Sequence, residues 1–299
     1  MVKIFLKLMR FKKRYIIIIL FFTLFFTGPH FWQSLNKTEV VNNPVATNHF
    51  ENLSIEAQAF FVWDVNEEKV IYNFHEEAQL PLASLAKIMT TATILDEASV
   101  EKLVTINLND IKQEGDSGLL IGETWSLKNI LELILVSSSN DGASAVASVM
   151  NSKNGFIKSM NNKADDLGLK QTYFLNESGL DLNKNISGAY GSAKDVALVF
   201  SYVLQEYPHI LEATKYKTIS INSLDLTHKI KNTNKEIETF PGIIASKTGF
   251  TDIAGGNLVI AFDAGLNKPI IISLLGSSID GRFDDMEKLV WATIKDLNK

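Results

Sequence analysis

The chain has 299 residues, 46% of them apolar, enough for one large domain or for one domain whose two lobes flank a cleft. It contains no cysteine, which excludes disulfides, thiolate metal sites and a cysteine nucleophile. The net charge of −5 is uneven: residues 1–14 carry six basic side chains and no acid, leaving about −11 for the rest, the wrong sign for a nucleic-acid partner.

In chain order, the basic stretch 1–14 precedes an apolar run, 15–32, that just reaches the roughly 17–25 residues needed for a membrane span. No small-residue cleavage site follows; the flank is bulky, with Phe31 and Trp32. The pattern predicts an uncleaved signal anchor with its basic end cytoplasmic and the body outside. If the segment is cleaved instead, the body is secreted. Residues 33–55, rich in Asn, Thr, Val and Ser, read as a polar tether, and 56–299 as the folded body.

Within the body, AQAFFVWDV and KVIYNF around the turn-like NEEK predict a hairpin. ASLAKIMTTATILDEA has helical spacing, with Leu85, Ile88, Met89, Ala92 and Leu95 on one face. LKNILELILV and DGASAVASVM read as two helices joined by SSSN, and GFIKSMNNKADDLGL as an amphipathic helix stopped at a glycine. SAKDVALVFSYVLQEY is a further helix, ended by Pro208. The last third is mainly strand (KTISIN, LTHKIKN, IIASKTG, GGNLVIAF, KPIIISLLG) before a closing helix, FDDMEKLVWATIKDL. Strands at both ends and helices between them imply an α/β (α+β) body. Its sheet, mixed and mainly antiparallel, is built from both termini, flanked by helices, beside a helical lobe.

Three short elements carry chemistry: Ser84-Leu-Ala-Lys87, Ser138-Ser-Asn140 and Lys247-Thr248-Gly249. Alone, the first two are weak signals, since each recurs elsewhere in the chain, Ser-x-x-Lys for instance at Ser99 and Ser-x-Asn at Ser152, Ser159 and Ser220. Context selects Ser84, which opens a helix so that Lys87 lies one turn on, on the same face; Ser99 sits in a polar stretch and reads as a solvated turn serine. A serine hydroxyl needs a nearby base, and a lysine serves if burial beside another cation neutralises its amine. Lys247 is the candidate for that cation, Ser138 for a proton relay, and Asn140 for an amide that orients a peptide. Lys247 and Thr248 are placed to bind a carboxylate, and Gly249 to let backbone approach the substrate.

The three elements, their order and their surroundings resemble the D-Ala-D-Ala carboxypeptidase family, the low-molecular-mass penicillin-binding proteins. The resemblance extends to GDSGLLIGETWSLKNILELILVSSSNDGASAVA, TYFLNESGLD, GSAKDVALV and GIIASKTGFTDIAGGNLV, and spans about residues 56–297. It implies a DD-peptidase/β-lactamase-like fold and a bacterial cell membrane location with the catalytic domain extracytoplasmic. By the same resemblance, Ser84 forms the acyl-enzyme, Lys87 takes its proton, and Ser138 passes a proton to the leaving D-Ala. Asn140 binds the peptide amide, Lys247 and Thr248 hold the terminal carboxylate, and the backbone N–H groups of Ser84 and Phe250 form the oxyanion hole. The implied substrate is a peptidoglycan stem peptide ending in D-Ala-D-Ala, with β-lactam antibiotics as inhibitors and no cofactor or metal. Many family members add a β-rich C-terminal domain and an amphipathic anchor. This chain ends just after its last helix, so both are expected to be missing, with the N-terminal segment anchoring instead. Ala86 stands where the family often has Thr.

Three rival readings share the fold: a class A-like β-lactamase, a DD-endopeptidase and a catalytically silent scaffold. The β-lactamase needs a deacylating glutamate, and Glu177-Ser-Gly-Leu180-Asp181 comes near that pattern, although its neighbours match the carboxypeptidase phrase and Glu177 reads as a loop residue. The intact triplet argues against the scaffold. The five histidines, 30, 49, 75, 209 and 228, are scattered without metal-site spacing. Trp63 and Trp125 read as core or cleft-edge packing.

Overall fold

The computed structural model describes residues 49–115, 118–150 and 152–298; the basic N-terminus, the apolar segment 15–32 and the tether to residue 48 lie outside the described residues. Among the described residues, no helix is long and apolar enough to cross a membrane. Residues 49–55, which read as tether, lie against the body: Phe50 is buried and its ring stacks on Tyr72 at 4.3 Å.

The main sheet joins the two ends of the body. The hairpin of β1 (Ala59–Asp64) and β2 (Lys69–Phe74) adds to a meander of β10 (Ile243–Thr251), β11 (Gly255–Asp263) and β12 (Pro269–Ser277) in the order β10-β11-β12-β1-β2. The seam pairs β1 with β12, Ala59 opposite Leu275 and Asp64 opposite Ile270. Every pairing in this sheet is antiparallel, so the parallel pair that a mixed sheet requires is not found among the described strands.

Alternation along the strands builds two cores. Ala59 and Phe61 of β1, Val259 and Ala261 of β11 and Ile271 of β12 face the helical lobe. Phe60, Val62, Leu258, Ile260, Phe262, Ile270 and Ile272 face α7 (Gly281–Leu297), through Phe283, Met286, Leu289 and Val290. Both sheet faces are therefore covered, which is why these strands read as unbroken apolar runs rather than alternating ones. Each large apolar side chain buried this way contributes about 1.5–3 kcal/mol.

The lobe is organised around α1 (Ala86–Glu97), whose residues Ala86 to Leu95 are all buried. Two of the hydroxyls on this enclosed helix are satisfied by backbone carbonyls: Thr91 Oγ1 donates to Lys87 O and Thr90 Oγ1 to Glu177 O. Around it lie α2 (Leu127–Ser137), α3 (Asn140–Ser148), α4 (Lys153–Asp166) and α5 (Ala193–Glu206). Each of these four starts at a serine whose hydroxyl accepts a backbone N–H three residues on: Ser126, Ser139, Ser152 and Ser192. Gly168, at φ +70°, stops α4 as its sequence predicts. Pro208 ends α5 and also opens a one-turn helix, α6 (Pro208–Leu211), with its missing N–H at the first position.

KTISIN and LTHKIKN form a separate hairpin, β8 (Thr218–Asn222) and β9 (Thr227–Lys231), outside the main sheet. Smaller strands complete the fold. β4 (Leu103–Thr105) pairs with β5 (Thr124–Ser126), and β7 (Ala189–Gly191) lies between β3 (Leu80–Pro81) and β6 (Tyr173–Phe174). Trp125 is wholly buried in the lobe core, and Trp63 packs at its margin.

Candidate active site

Ser84 sits in a 3-10 turn, Ala83–Leu85, that runs into α1. The turn is forced into shape from several sides. Ala83 takes φ +48°, a left-handed conformation costly for a residue with a Cβ, and such strain persists only where the surroundings impose it. Gly179 supports the turn from below: a Cβ there would lie 1.8 Å from Ala83 O. Gly249 passes beside it, where a Cβ would meet Leu82 O at 2.9 Å. The clearance at Gly249, expected to serve the substrate, thus serves first the close approach of β10 to the serine turn. Asn257, at a bulge in β11, donates through Nδ2 to Pro81 O at 2.9 Å and fixes the chain entering the turn.

One helical turn after Ser84, Lys87 is completely buried. Its amine spends three hydrogen bonds: Ser84 Oγ at 2.8 Å, Asn140 Oδ1 at 2.7 Å and Ser178 O at 2.8 Å. Burial lowers its pKa to about 7, with Glu177 pulling the other way. A substantial neutral fraction at physiological pH is what a base for the serine requires.

The loop SSSN gives each residue a separate task. Ser137 ends α2, Ser138 takes the left-handed conformation at φ +63°, Ser139 caps α3, and Asn140 is its first residue. Ser138 Oγ accepts from Lys247 Nζ at 2.9 Å, and Asn140 Nδ2 donates to Glu114 O at 2.6 Å. Lys247, on β10 at the sheet edge, also donates to Thr248 O at 2.7 Å. Burial, the Lys87 amine and Arg282 hold its pKa well below the ordinary lysine value. Thr248 Oγ1 lies 2.6 Å from Thr233 Oγ1, and Phe250, two positions further, is 43% exposed at the cleft. A groove of about 610 Å³ continues from there, lined by Glu114, Leu180, Asp181, Phe250, Thr251 and Ile253 among others.

All three sequence elements therefore meet: Ser84 and Lys87 touch, Lys87 touches Asn140, and Lys247 touches Ser138. Ser99 stays apart, an exposed turn residue whose Oγ accepts from Glu101 N. Sequence reasoning missed the second layer. Ser178 contributes only a carbonyl, which no side-chain pattern reveals. Asn176 holds that loop by accepting from Gly179 N and donating to Leu180 O. Arg282 reaches from α7 to Gly249 O at 2.7 Å. The segment TYFLNESGLD, which carries Asn176 and Ser178, was the available signal for the first two.

The sequence profile of the D-alanyl-D-alanine carboxypeptidase family matches residues 45–278, and the chain belongs to that family. It is 32% identical over 234 residues to the D-alanyl-D-alanine carboxypeptidase DacF of Bacillus subtilis, covering 76% of this chain and 59% of that protein. It is 32% identical over 206 residues to a D-alanyl-D-alanine endopeptidase of Pseudomonas aeruginosa, covering 67% and 64%. The chain thus spans less than two thirds of the length of these two curated relatives. Penicillin-binding protein D2 of Listeria monocytogenes, solved with ampicillin bound, superposes with a TM-score of 0.68 at 29% identity, over 81% of this chain and 98% of that one.

Proposed function

We propose that this protein is a serine-type D-Ala-D-Ala carboxypeptidase that trims peptidoglycan stem peptides through a Ser84 acyl-enzyme and is acylated by β-lactams. The observation that carries this reading is the 2.8 Å contact between Ser84 Oγ and an enclosed lysine amine whose pKa falls to about 7.

In the reaction, the substrate carboxylate binds Lys247 and Thr248. Its negative charge favours the protonated form of Lys247, and that cation in turn favours the neutral form of Lys87. Substrate binding thus assigns the charge within the lysine pair before chemistry begins. Lys87 removes the Ser84 proton as Oγ attacks the carbonyl of the penultimate D-Ala. The N–H groups of Ser84 and Phe250 receive the oxyanion, usually the largest single contribution in acyl transfer. Ser138 relays a proton, giving its own to the departing D-Ala amine and receiving in its place the one Lys87 took from Ser84, and Asn140 orients the peptide amide. Water then cleaves the ester and restores Ser84.

The β-lactamase reading turns on Glu177, whose carboxylate pairs with Lys153 at 3.4 Å, and nitrocefin turnover separates it from the carboxypeptidase. The same site serves endopeptidase action, and a cross-linked muropeptide dimer offered beside a pentapeptide separates the two. We further propose that residues 15–32 anchor the protein in the bacterial membrane with the catalytic domain outside, supported by the charge and hydropathy pattern.

The test is labelling with a fluorescent penicillin, alongside Ser84→Ala. A stable adduct on the wild type alone is expected. A folded protein that neither forms an adduct nor hydrolyses the lactam would sink the enzyme assignment, and rapid hydrolysis without an adduct would favour the β-lactamase.

A further inference from the structure

Among the buried carboxylates that the proposed mechanism leaves unused, that of Glu177 belongs to a residue whose backbone is tied to the base. Glu177 is 6% exposed. Its backbone cannot drift from the base, because its own carbonyl accepts from Thr90 of α1 at 2.6 Å and the next carbonyl, that of Ser178, accepts from Lys87. Its side chain meets Lys153 Nζ at 3.4 Å, a long contact, while the same amine donates to Ser144 Oγ. Ser144 in turn donates to Asp110 Oδ1 at 2.8 Å, a carboxylate 1% exposed that also accepts from Ser148. Lys153 therefore stands between two buried acids, one held directly and one through a serine.

The position of Lys153 is itself informative. It is the first residue of α4, where the positive end of the helix disfavours a cation. It faces inward to the acids all the same, with its side chain 36% exposed against 8% for that of Glu177.

We propose that Glu177 and Lys153 form an electrostatic setting for the base: Glu177 draws Lys87 toward its protonated form, and Lys153 limits that pull. Both are positioning residues, and the inference rests on the carboxypeptidase reading of Ser84 and Lys87. The attraction of Glu177 for Lys87 runs against the effect of burial, consistent with this arrangement.

The other charges near Lys87 are committed elsewhere or belong to the site. From β10 comes Lys247, with Arg282 of α7 behind it. From α5, Asp195 is taken by Gln171 N and Thr172 Oγ1, and Lys194 by Glu77. From α4, Lys163 pairs with Asp96 at the far end of α1. α3 contributes Asp141, buried at its first turn. Glu177 is the buried carboxylate next in sequence to the carbonyl that Lys87 bonds.

The experiment measures the rate of penicillin acylation of the full chain from pH 5 to 9 for wild type, Glu177→Gln, Lys153→Met and Lys153→Arg, with thermal melts as fold controls. Removing the carboxylate moves the midpoint of the acid limb down by about half a unit, so that below the midpoint the variant acylates about threefold faster than wild type. Lys153→Met moves the midpoint up by a similar amount, and Lys153→Arg restores it. Midpoints that coincide, or rates that fall uniformly at an unchanged midpoint, overturn the proposal. Should Glu177→Gln fail to fold, the opposite behaviour of the Met and Arg variants at Lys153 decides. An absence of acylation in wild type at every pH would instead overturn the carboxypeptidase reading. The titration of Lys87, read by NMR of lysine labelled at Cε, would then still report whether Glu177 and Lys153 shift it.

Discussion

An amine sealed from water and bonded to three oxygens pays for its position in protonation. The ordinary lysine value is 10.5 and that of Lys87 is about 7, so the folded protein prefers the neutral form while the unfolded chain prefers the cation. The direction follows: the contribution is fully present above 10.5, is lost as pH falls toward 7, and is constant below that. The loss is at most about 5 kcal/mol. Lys87→Met is therefore expected to flatten the pH dependence of stability between 7 and 10, as read by urea denaturation, while abolishing acylation. In the wild type the same titration governs chemistry in the same direction, and acylation should rise about tenfold per pH unit below 7 and level off above it. Stopped-time labelling over pH 5–9 checks this.

At the scale of elements, the site is a place where a turn, a loop and an edge strand come within contact distance. The loop Asn176–Leu180 is the least forgiving of the three, since Gly179 combines φ +77° with a Cβ position 1.8 Å from Ala83 O. Gly179→Ala is expected to cost about 3 kcal/mol or more and to suppress acylation even where the protein remains folded, because the serine turn must move. Melting temperature and labelling rate together report both effects. The elements were legible in sequence where a period or a cap was strong. The apolar runs of β10 to β12 and the helical span of α1 fall where the pattern puts them, although α1 is buried all round rather than on the one face its spacing predicts. So did Ser84, Lys87, Ser138, Asn140, Lys247 and Thr248 as a cluster, because hydroxyls and amines at element boundaries leave a residue-level trace. Contacts made by backbone do not: the Ser178 carbonyl and the strain at Ala83 have no signature in residue type. Two-residue strands such as Leu80–Pro81 are also too short to show a period, and Arg282 looks like any charge on an amphipathic helix until the sheet brings Gly249 beneath it.

For the whole molecule, the seam between the chain's two ends is the critical joint. Asp285 of α7 is wholly buried there and accepts from Glu56 N at 3.0 Å, Ala57 N at 2.9 Å and Ser277 Oγ at 2.8 Å. Asp285→Ala strands three donors and is expected to destabilise the protein by about 3 kcal/mol, lowering the denaturation midpoint, while the acylation rate of the molecules still folded stays near wild type. A loss of rate in folded protein would mean that the seam also shapes the site.

That seam has a consequence in time. β1 is among the first parts of the body to be synthesised and its partner β12 among the last, so the pairing of Ala59 with Leu275 waits for nearly the entire chain. Ser84 and Lys87 are likewise made long before Lys247 and Thr248, which arrive on β10. A nascent chain therefore carries its nucleophile in an unfinished pocket, without the groups that bind a carboxylate, and becomes reactive only when its final third has joined the sheet. Any ribosome-bound or prematurely ended product that stops short of β10 should be inert toward penicillin even though it already contains the reactive serine.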